Sequence, residues 1–263
     1  IFHMLKKYPD YRIICLDCLT YAGNLSTLAP VMDNPNFRFV KESITDREAV
    51  YKLFEEEHPD MVVNFAAESH VDRSIENPEF SLPQILSVLL FSWMPAVNTE
   101  SSVIIRFPQT RFTEIFLLTD RTSSSQRKLR SIQAARTAPP KQVLTFLFSH
   151  TTEPTACLWT ISRCSNNYGP YHFPEKLIPL MISRALADEE LPVYGNGENV
   201  RDWLHVSDHC EAIDLIIHKG KVGEVYNIGG HNERTNLQVV QTILKALDKP
   251  ESLIKYVKRP PGP

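Results

Sequence analysis

Residue types that suit a phosphorylated ligand recur in the carboxyl-terminal third of the chain. Tyr194 is followed by Arg201 and, further along, by Asn236. A guanidinium and an amide are good donors to a diphosphate, and an aromatic ring offers a pyrimidine a stacking face. Arg201 directly precedes Asp202, so a plain surface ion pair is the alternative role for this arginine.

A second candidate is Asp17, which closes the apolar run "RIICLD". An acid at the end of a strand in a dinucleotide-binding fold can accept hydrogen bonds from ribose hydroxyls, and its charge repels a 2'-phosphate, which favours NAD over NADP. A helix cap or a solvated turn is the alternative role for Asp17. The Gly-rich turn that accompanies such an acid would lie roughly 20 residues upstream, before Ile1.

The elements that must position these residues follow an α/β pattern. Apolar spacing and turn residues predict, in chain order, a helix end at 1–7, strands at 12–17, 37–41 and 61–65, and a helix at 46–58. Strand, helix and strand repeated in this way predict a parallel sheet with right-handed crossovers.

Composition narrows the class of protein. The net charge of -3 over 263 residues argues against nucleic acid or a membrane as the main partner. Five cysteines at irregular spacing indicate reduced thiols in a cytosolic protein, and the pair Cys15 and Cys18 lacks the second pair that a zinc site needs, so we expect no metal. We find no signal peptide or membrane span, and the start resembles the middle of a gene product.

The segment 81–158 differs in composition from both of its flanks. It contains no Gly and no Tyr, although the chain has nine of each, and ordinary usage would give about five glycines. Eight of the 28 basic residues lie in it, but only four of the 31 acidic ones.

Both flanks resemble one family. The motifs "DCLTYAGN", "AAESHVDRS", "SNNYGPYHFPEKLIP" and "RDWLHVSDH" are similar to those of the dTDP-glucose 4,6-dehydratases, which are extended short-chain dehydrogenases/reductases. The resemblance covers 1–80 and about 159–258. It implies a Rossmann-like α/β fold, with an NAD-binding domain at 1–160 and a smaller substrate domain at 161–263. It also implies a cytoplasmic homodimer acting on a dTDP-sugar.

The resemblance assigns site residues position by position. Contacts to NAD fall on Asp17, Cys18, Leu19, Thr20, Ile44, Ala66, Ala67, Glu68, Ser69 and Asn167. Contacts to the nucleotide sugar fall on His70, Asn166, Glu175, Lys176, Leu177, Pro192, Val193, Tyr194, Arg201 and Asn236. Within the second set, 192–194 would meet the thymine and Arg201 with Asn236 the diphosphate. His70 has a structural hydrogen bond as its alternative role.

The family's reaction needs residues that the segment 81–158 lacks. A Tyr with a Lys four positions later deprotonates the 4-hydroxyl as hydride leaves C4, a Glu removes the C5 proton, and a neighbouring Asp protonates the departing hydroxyl. The segment has no Tyr and no Asp-Glu pair, so no catalytic residue is assigned and we expect this chain to be inactive.

A shifted reading frame is our hypothesis for the origin of the anomalous segment. Codons for "FPQTRFTEI" at 107–115 can be chosen so that an offset frame spells Ser-Thr-Asp-Glu-Val-Tyr-Gly-Asp, and those for "AARTAPPKQVLT" at 134–145 so that the same frame contains Tyr-Ser-Ser-Ser-Lys. A shifted frame keeps no hydrophobic period, so we expect the segment to be disordered or misassembled. A genuine insertion is the alternative.

Two other functions stay open at this stage. One is a non-catalytic remnant that binds nucleotide sugars or NAD. The other is a related epimerase or dehydratase acting on a UDP- or GDP-sugar, although "PEKLIP" and "PVYGNGENVRDW" favour the dTDP enzyme.

Overall fold

The first 66 residues form helices and strands in alternation. A computed structural model describes residues 1–66, 102–105, 115–119, 157–158, 160–221 and 224–258. The first elements are α1 (Phe2–Lys7), β1 (Ile13–Leu16), a 3-10 helix (Leu25–Val31), β2 (Phe37–Val40), α2 (Arg47–Glu57) and β3 (Met61–Asn64). Each element predicted for this region is confirmed, with ends shifted by a residue or two.

Helix α2 shows why the local sequence was informative. Its N-cap residue Asp46 accepts a hydrogen bond from the Ala49 N–H at 3.0 Å, and Val50 and Phe54 lie buried one turn apart on the same face. The helix ends at His58, which adopts a left-handed conformation with φ 44°.

Parallel pairing is confirmed for the first strands. β1 and β2 pair in parallel from Ile13 with Phe37 to Leu16 with Val40. β3 pairs in parallel with β4 (Ser102–Ile105), but β5 (Ile115–Thr119) runs antiparallel to β4, and β6 (Cys157–Leu158) antiparallel to β5.

The change of direction at β5 has a simple geometric cause. The connection 106–114 is shorter than the dozen or so residues that a parallel crossover needs. In total, three short strands of the segment 81–158, namely β4, β5 and β6, form one sheet with β3. The rest of that segment, for which we expected disorder, lies outside the described residues.

The remaining elements lie between 160 and 258. In chain order they are β7 (Ile161–Cys164), β8 (Asn166–Tyr168), α3 (Leu177–Leu186), β9 (Leu191–Tyr194), β10 (Val200–His205), α4 (Val206–Lys219), β11 (Val225–Ile228), β12 (Glu233–Thr235), α5 (Asn236–Ala246) and β13 (Ile254–Val257).

The chain divides into two compact units. Unit 1 comprises Ile1–Arg163 and Ile213–Asn227, and unit 2 comprises Cys164–Ala212 and Ile228–Pro263. In unit 2, β8, β10 and β12 form one sheet and β9 pairs in parallel with β13. The assignment of 1–160 to NAD and of 161–263 to the sugar nucleotide stays a prediction.

An apolar core in unit 2 supports these strands. It consists of Met181 and Ala185 from α3, Leu191 and Val193 from β9, and Val240 and Leu244 from α5, each at most 3% exposed. Within the described parts of the chain, no helix has the length and apolar character needed to cross a bilayer.

Candidate functional site

Asp17 lies where β1 ends, at the carboxyl edge of the β1–β2 pair. Its N–H donates to Val40 O at 3.1 Å, and its Oδ1 accepts from the Leu19 N–H at 2.7 Å. Asp17, Cys18 and Thr20 are exposed, and Leu19 adopts φ 50°, a left-handed conformation that turns the chain sharply after the strand. The carboxylate thus shapes its own loop and also faces solvent.

The same turn needs a glycine at position 23. The Gly23 N–H donates to Thr20 O at 2.7 Å, and a Cβ on Gly23 would come within 2.6 Å of Leu19 Cα. The sequence "LTYAG" therefore closes as a tight loop that holds the predicted cofactor residues together.

The other predicted cofactor residues are only partly described. Ile44 is half-buried in the loop after β2. Ala66 follows β3, and its N–H donates to the side chain of Asn64 at 3.1 Å. Asn64 is itself buried and was not predicted as a site residue. Ala67, Glu68, Ser69 and His70 lie outside the described residues.

The two nearby thiols are free. Burial, with a smaller contribution from Asp17, raises the pKa of Cys15, so this thiol stays protonated at neutral pH. Cys18 is exposed in the loop. Among the described residues, no three His, Cys, Asp or Glu side chains lie together in a way that could hold a metal ion.

Three predicted substrate residues lie on or beside one face of the sheet in unit 2. Trp203 of β10 pairs with Asn166 of β8, and Arg201 of β10 pairs with Arg234 of β12. Paired positions share a face and faces alternate along a strand, so these four side chains project from the same side. Asn236 follows Arg234 by two residues, at the end of this row.

The opposite face has a supporting role that the sequence did not reveal. Asp202 accepts hydrogen bonds from the Gly230 and Asn232 N–H groups, each at 2.8 Å. Burial alone would raise the pKa of Asp202, but these backbone bonds and one from Ser165 outweigh it and lower the pKa. The carboxylate therefore fixes the loop before β12 and does not pair with Arg201.

Asn167 points away from the face that carries Asn166. Its Nδ2 donates to Cys164 Sγ and to Ser165 O, each at 3.2 Å, and its Oδ1 is buried without a partner among the described residues. The structure therefore places the two neighbouring asparagines on different faces, and the different roles predicted for them stay predictions.

The residues predicted to hold the nucleotide sugar at the start of α3 lie together. Lys176 is the N-cap residue of α3, and its Nζ lies 3.0 Å from Glu175 Oε1. Leu177 packs against the apolar core of unit 2. His172, in the preceding loop, has a lowered pKa because it is partly buried and lies near the charge of Lys176.

Of the three predicted substrate residues on strand β9, only Tyr194 has a side chain that is well exposed to solvent. The Tyr194 side chain is 49% exposed, whereas Val193 is 3% exposed and packs in the core. Val193 can therefore meet a ligand only through its backbone. The half-buried Pro192 lies between the core and the surface.

Family models match the chain on both sides of the anomalous segment. Residues 2–107 match the model described as GDP-mannose 4,6 dehydratase, and residues 141–229 match the NAD dependent epimerase/dehydratase family. Residues 108–140 lie between the two matches.

Individual proteins that are similar to this chain include several dTDP-glucose 4,6-dehydratases. The dTDP-glucose 4,6-dehydratase of Xanthomonas campestris is 46% identical over 95% of this chain and 76% of its own length, and the Escherichia coli enzyme is 38% identical over 99% and 79%. The crystal structure of the Bacillus anthracis dTDP-glucose 4,6-dehydratase in complex with NAD is 36% identical, with a TM-score of 0.74 over 98% of this chain and 79% of that one.

The α/β elements and the matched models define an extended short-chain dehydrogenase/reductase of the NAD dependent epimerase/dehydratase class. Within that class, identities of 36–46% over at least 94% of the chain are shared with dTDP-glucose 4,6-dehydratases from several bacteria. The chain belongs to the dTDP-glucose 4,6-dehydratase family.

Proposed function

We propose that this chain derives from an enzyme that converts dTDP-glucose to dTDP-4-keto-6-deoxyglucose, and that it retains the nucleotide-sugar site without the catalytic groups. The observation that carries the proposal is the row in unit 2, where strand register brings Asn166 and Arg201 to one face with Asn236 at its end. Asn166 and Arg201 are separated by 35 positions in the chain, so their shared face supports a common ligand, and Asn236 begins α5 directly after β12.

Each residue of the row has a role that follows from its chemistry. Arg201 can donate two parallel hydrogen bonds to a phosphate, and Asn236 can add an amide donor. The exposed Tyr194 ring provides a stacking face for the thymine. Asn166, with Glu175 and Lys176, would contact the sugar nucleotide, and the Lys176 ammonium adds positive charge near it.

NAD fits the loop that follows β1. Asp17 presents a solvent-exposed carboxylate at the carboxyl end of a parallel strand, which is the position that accepts the ribose hydroxyls of a dinucleotide. A bound NAD would supply reversible hydride transfer for the reaction of the sugar at C4 and C6. Cys18, Leu19 and Thr20 would line the adenosine through the tight loop.

Turnover is not expected from the chain as its sequence stands. No Tyr in the 263 residues is followed by a Lys four positions later, and no Thr-Asp-Glu sequence occurs. Loss of a general base and of an acid pair typically lowers the rate by about 100-fold to 10,000-fold for each group.

The activity test is direct. The chain is incubated with dTDP-glucose and NAD, and mass spectrometry follows the loss of water, with the Escherichia coli relative as the positive control. We expect no product above background. Product at a rate close to that of the control would show that other residues perform the chemistry.

The shifted-frame hypothesis has its own test. The DNA that encodes 75–165, translated in all three frames, should contain Ser-Thr-Asp-Glu and Tyr-Ser-Ser-Ser-Lys in one offset frame. If neither sequence occurs in any frame, the segment is a genuine insertion.

Nucleotide preference separates this proposal from its alternatives. Calorimetric titration with dTDP, UDP and GDP should give the tightest binding for dTDP. A preference for UDP or GDP would favour the related epimerases or dehydratases, and no binding to any of the three would contradict a nucleotide-sugar site.

We further expect a cytoplasmic protein whose parent enzyme is a homodimer. Light scattering after size-exclusion chromatography measures the mass of the chain in solution. A dimer would agree with the family resemblance, and a monomer would contradict it for this chain.

A further inference from the structure

The sheet of unit 2 pairs two arginines directly. In the antiparallel ladder between β10 and β12, Arg201 is the partner of Arg234. Side chains at such positions have Cβ atoms about 4.5–5.5 Å apart, and like charges placed there destabilise the pair. Both arginines are exposed, and they lie in the row that carries Asn166.

The protein provides no counter-charge for this pair among the described residues. Arg201 Nη1 donates to Val200 O at 2.7 Å and Arg234 Nη1 donates to Glu233 O at 2.9 Å, both neutral carbonyl oxygens. The nearest acid on β10 is Asp202, which projects to the other face and is used by two backbone N–H groups. Each guanidinium therefore keeps donors for a ligand.

The backbone N–H groups near this pair are not available to donate hydrogen bonds to an anion. The first N–H groups of α5 are already bonded, since Asn236 N donates to Asn199 O and Leu237 N to Gly197 O, each at 3.0 Å. The next turn is closed by a capping box between Thr235 and Gln238. An anion at this face must be held by side chains.

We propose that Arg234 is a second diphosphate-binding residue, acting opposite Arg201 in the same site. This inference rests on the proposed function, and it adds a residue that sequence reasoning did not select. The diphosphate of a nucleotide sugar carries one negative charge on each of its two phosphates. Two facing guanidinium groups can therefore pair with one phosphate each. Binding also relieves the repulsion between the two arginines.

The test uses graded ligands and matched variants of the whole chain. Calorimetry measures binding of dTDP and of thymidine to the wild type, Arg201→Gln, Arg234→Gln and the double variant. Arg184→Gln is the control, because Arg184 lies in the same unit and its Nη1 also donates to a carbonyl, Glu190 O, at 2.9 Å.

We expect Arg234→Gln to weaken dTDP binding about 10-fold or more, which is the loss of one charge-assisted contact. Binding of thymidine should not change, and the control should match the wild type. Unchanged dTDP binding in Arg234→Gln, with weakened binding in Arg201→Gln, would overturn this inference and leave the proposed function intact.

A second measurement keeps the two proposals separate. Inorganic pyrophosphate should raise the Tm of the wild type more than that of either single variant. Without ligand at low salt, Arg234→Gln should melt at a higher temperature than the wild type, with a difference that shrinks as salt screens the charges. A pyrophosphate effect that needs both arginines, without dTDP binding, would support the anion site and overturn the proposed function. No response to either ligand would overturn both.

Discussion

The two units are stabilised by different interactions. Unit 2 has an apolar core of six residues that are at most 3% exposed, formed by two helices and a strand. The apolar cluster around Leu5, Val31 and Phe37 in unit 1 is smaller, and its members keep 8–9% exposure. Unit 1 adds an ionic cluster instead. We therefore expect acid to act on unit 1 through its ionic cluster, and truncation of the six-residue core to act on unit 2.

The ionic cluster of unit 1 surrounds one carboxylate. Asp214 of α4 is 1% exposed and contacts three residues of the first helix region: His3 Nε2 at 2.8 Å, Lys7 Nζ at 2.6 Å and the Tyr8 hydroxyl at 2.8 Å. Burial would raise the pKa of Asp214, but hydrogen bonds from Lys7, His3 and Tyr8 outweigh it and lower the pKa well below the usual range. The cluster ties α1 to α4 across more than 200 residues of sequence.

The largest effect is expected from the core of unit 2. Leu244→Ala removes a side chain that is 1% exposed and should destabilise the protein by about 2–5 kcal/mol, the usual cost of such a cavity. Urea denaturation measures the change, and hydrogen exchange should place it in unit 2. Leu186→Ala, at a position that is 61% exposed, is the control and should change stability little. Equal effects would contradict a closely packed core.

The next effect tests the loop between β9 and β10. Gly197 has φ 72°, and a Cβ there would lie 2.8 Å from Val193 Cγ1 and 3.0 Å from Leu237 Cβ. Gly197→Ala should therefore cost about 3 kcal/mol from backbone strain and crowding together. Gly195→Ala isolates the strain, because Gly195 has φ 60° and nothing within 4 Å of its Cβ position. The same loss in both variants would exclude crowding.

A third effect separates the units by pH. Because the pKa of Asp214 is lowered in the folded protein, its stabilisation is present above the ordinary value of 3.8 and is lost as the pH falls below it. Asp214→Asn should lower the stability of unit 1 by about 2 kcal/mol at neutral pH and flatten this acid dependence. Hydrogen exchange at pH 7 and at acid pH measures both. Acid loss confined to unit 2 would contradict the comparison.

The smallest effect concerns the support of the substrate row. Asp202→Asn keeps the size of the side chain but replaces one of the two accepting oxygens with an NH2 group, so either the Gly230 or the Asn232 N–H loses its acceptor and a loss of about 1 kcal/mol is expected. Binding of dTDP should weaken modestly, since the strand that carries Arg234 follows this loop. Unchanged exchange at 230–232 would show that the carboxylate does not hold the loop.

Local signals explain which elements could be predicted. Asp46 marked the start of α2, because a capping carboxylate acts within the first turn, and the apolar spacing at Val50 and Phe54 marked its buried face. The apolar runs marked β1, β2 and β3 for a similar reason. The residues Asn166, Arg201 and Asn236 came from motifs, and the structure places the strands that carry or precede them in one sheet.

By itself, the sequence determined the elements of the first 66 residues, the family and the absence of the catalytic Tyr and Lys, because these depend on residue types and on spacing within a short stretch. Only the tertiary structure decided that Arg234 faces Arg201, that Asp202 bonds to the backbone and not to Arg201, and that Asp214 holds the first helix region. Strand register and distant ion pairs join residues from tens to over 200 positions apart. No local pattern encodes such pairings, since they depend on how each unit packs.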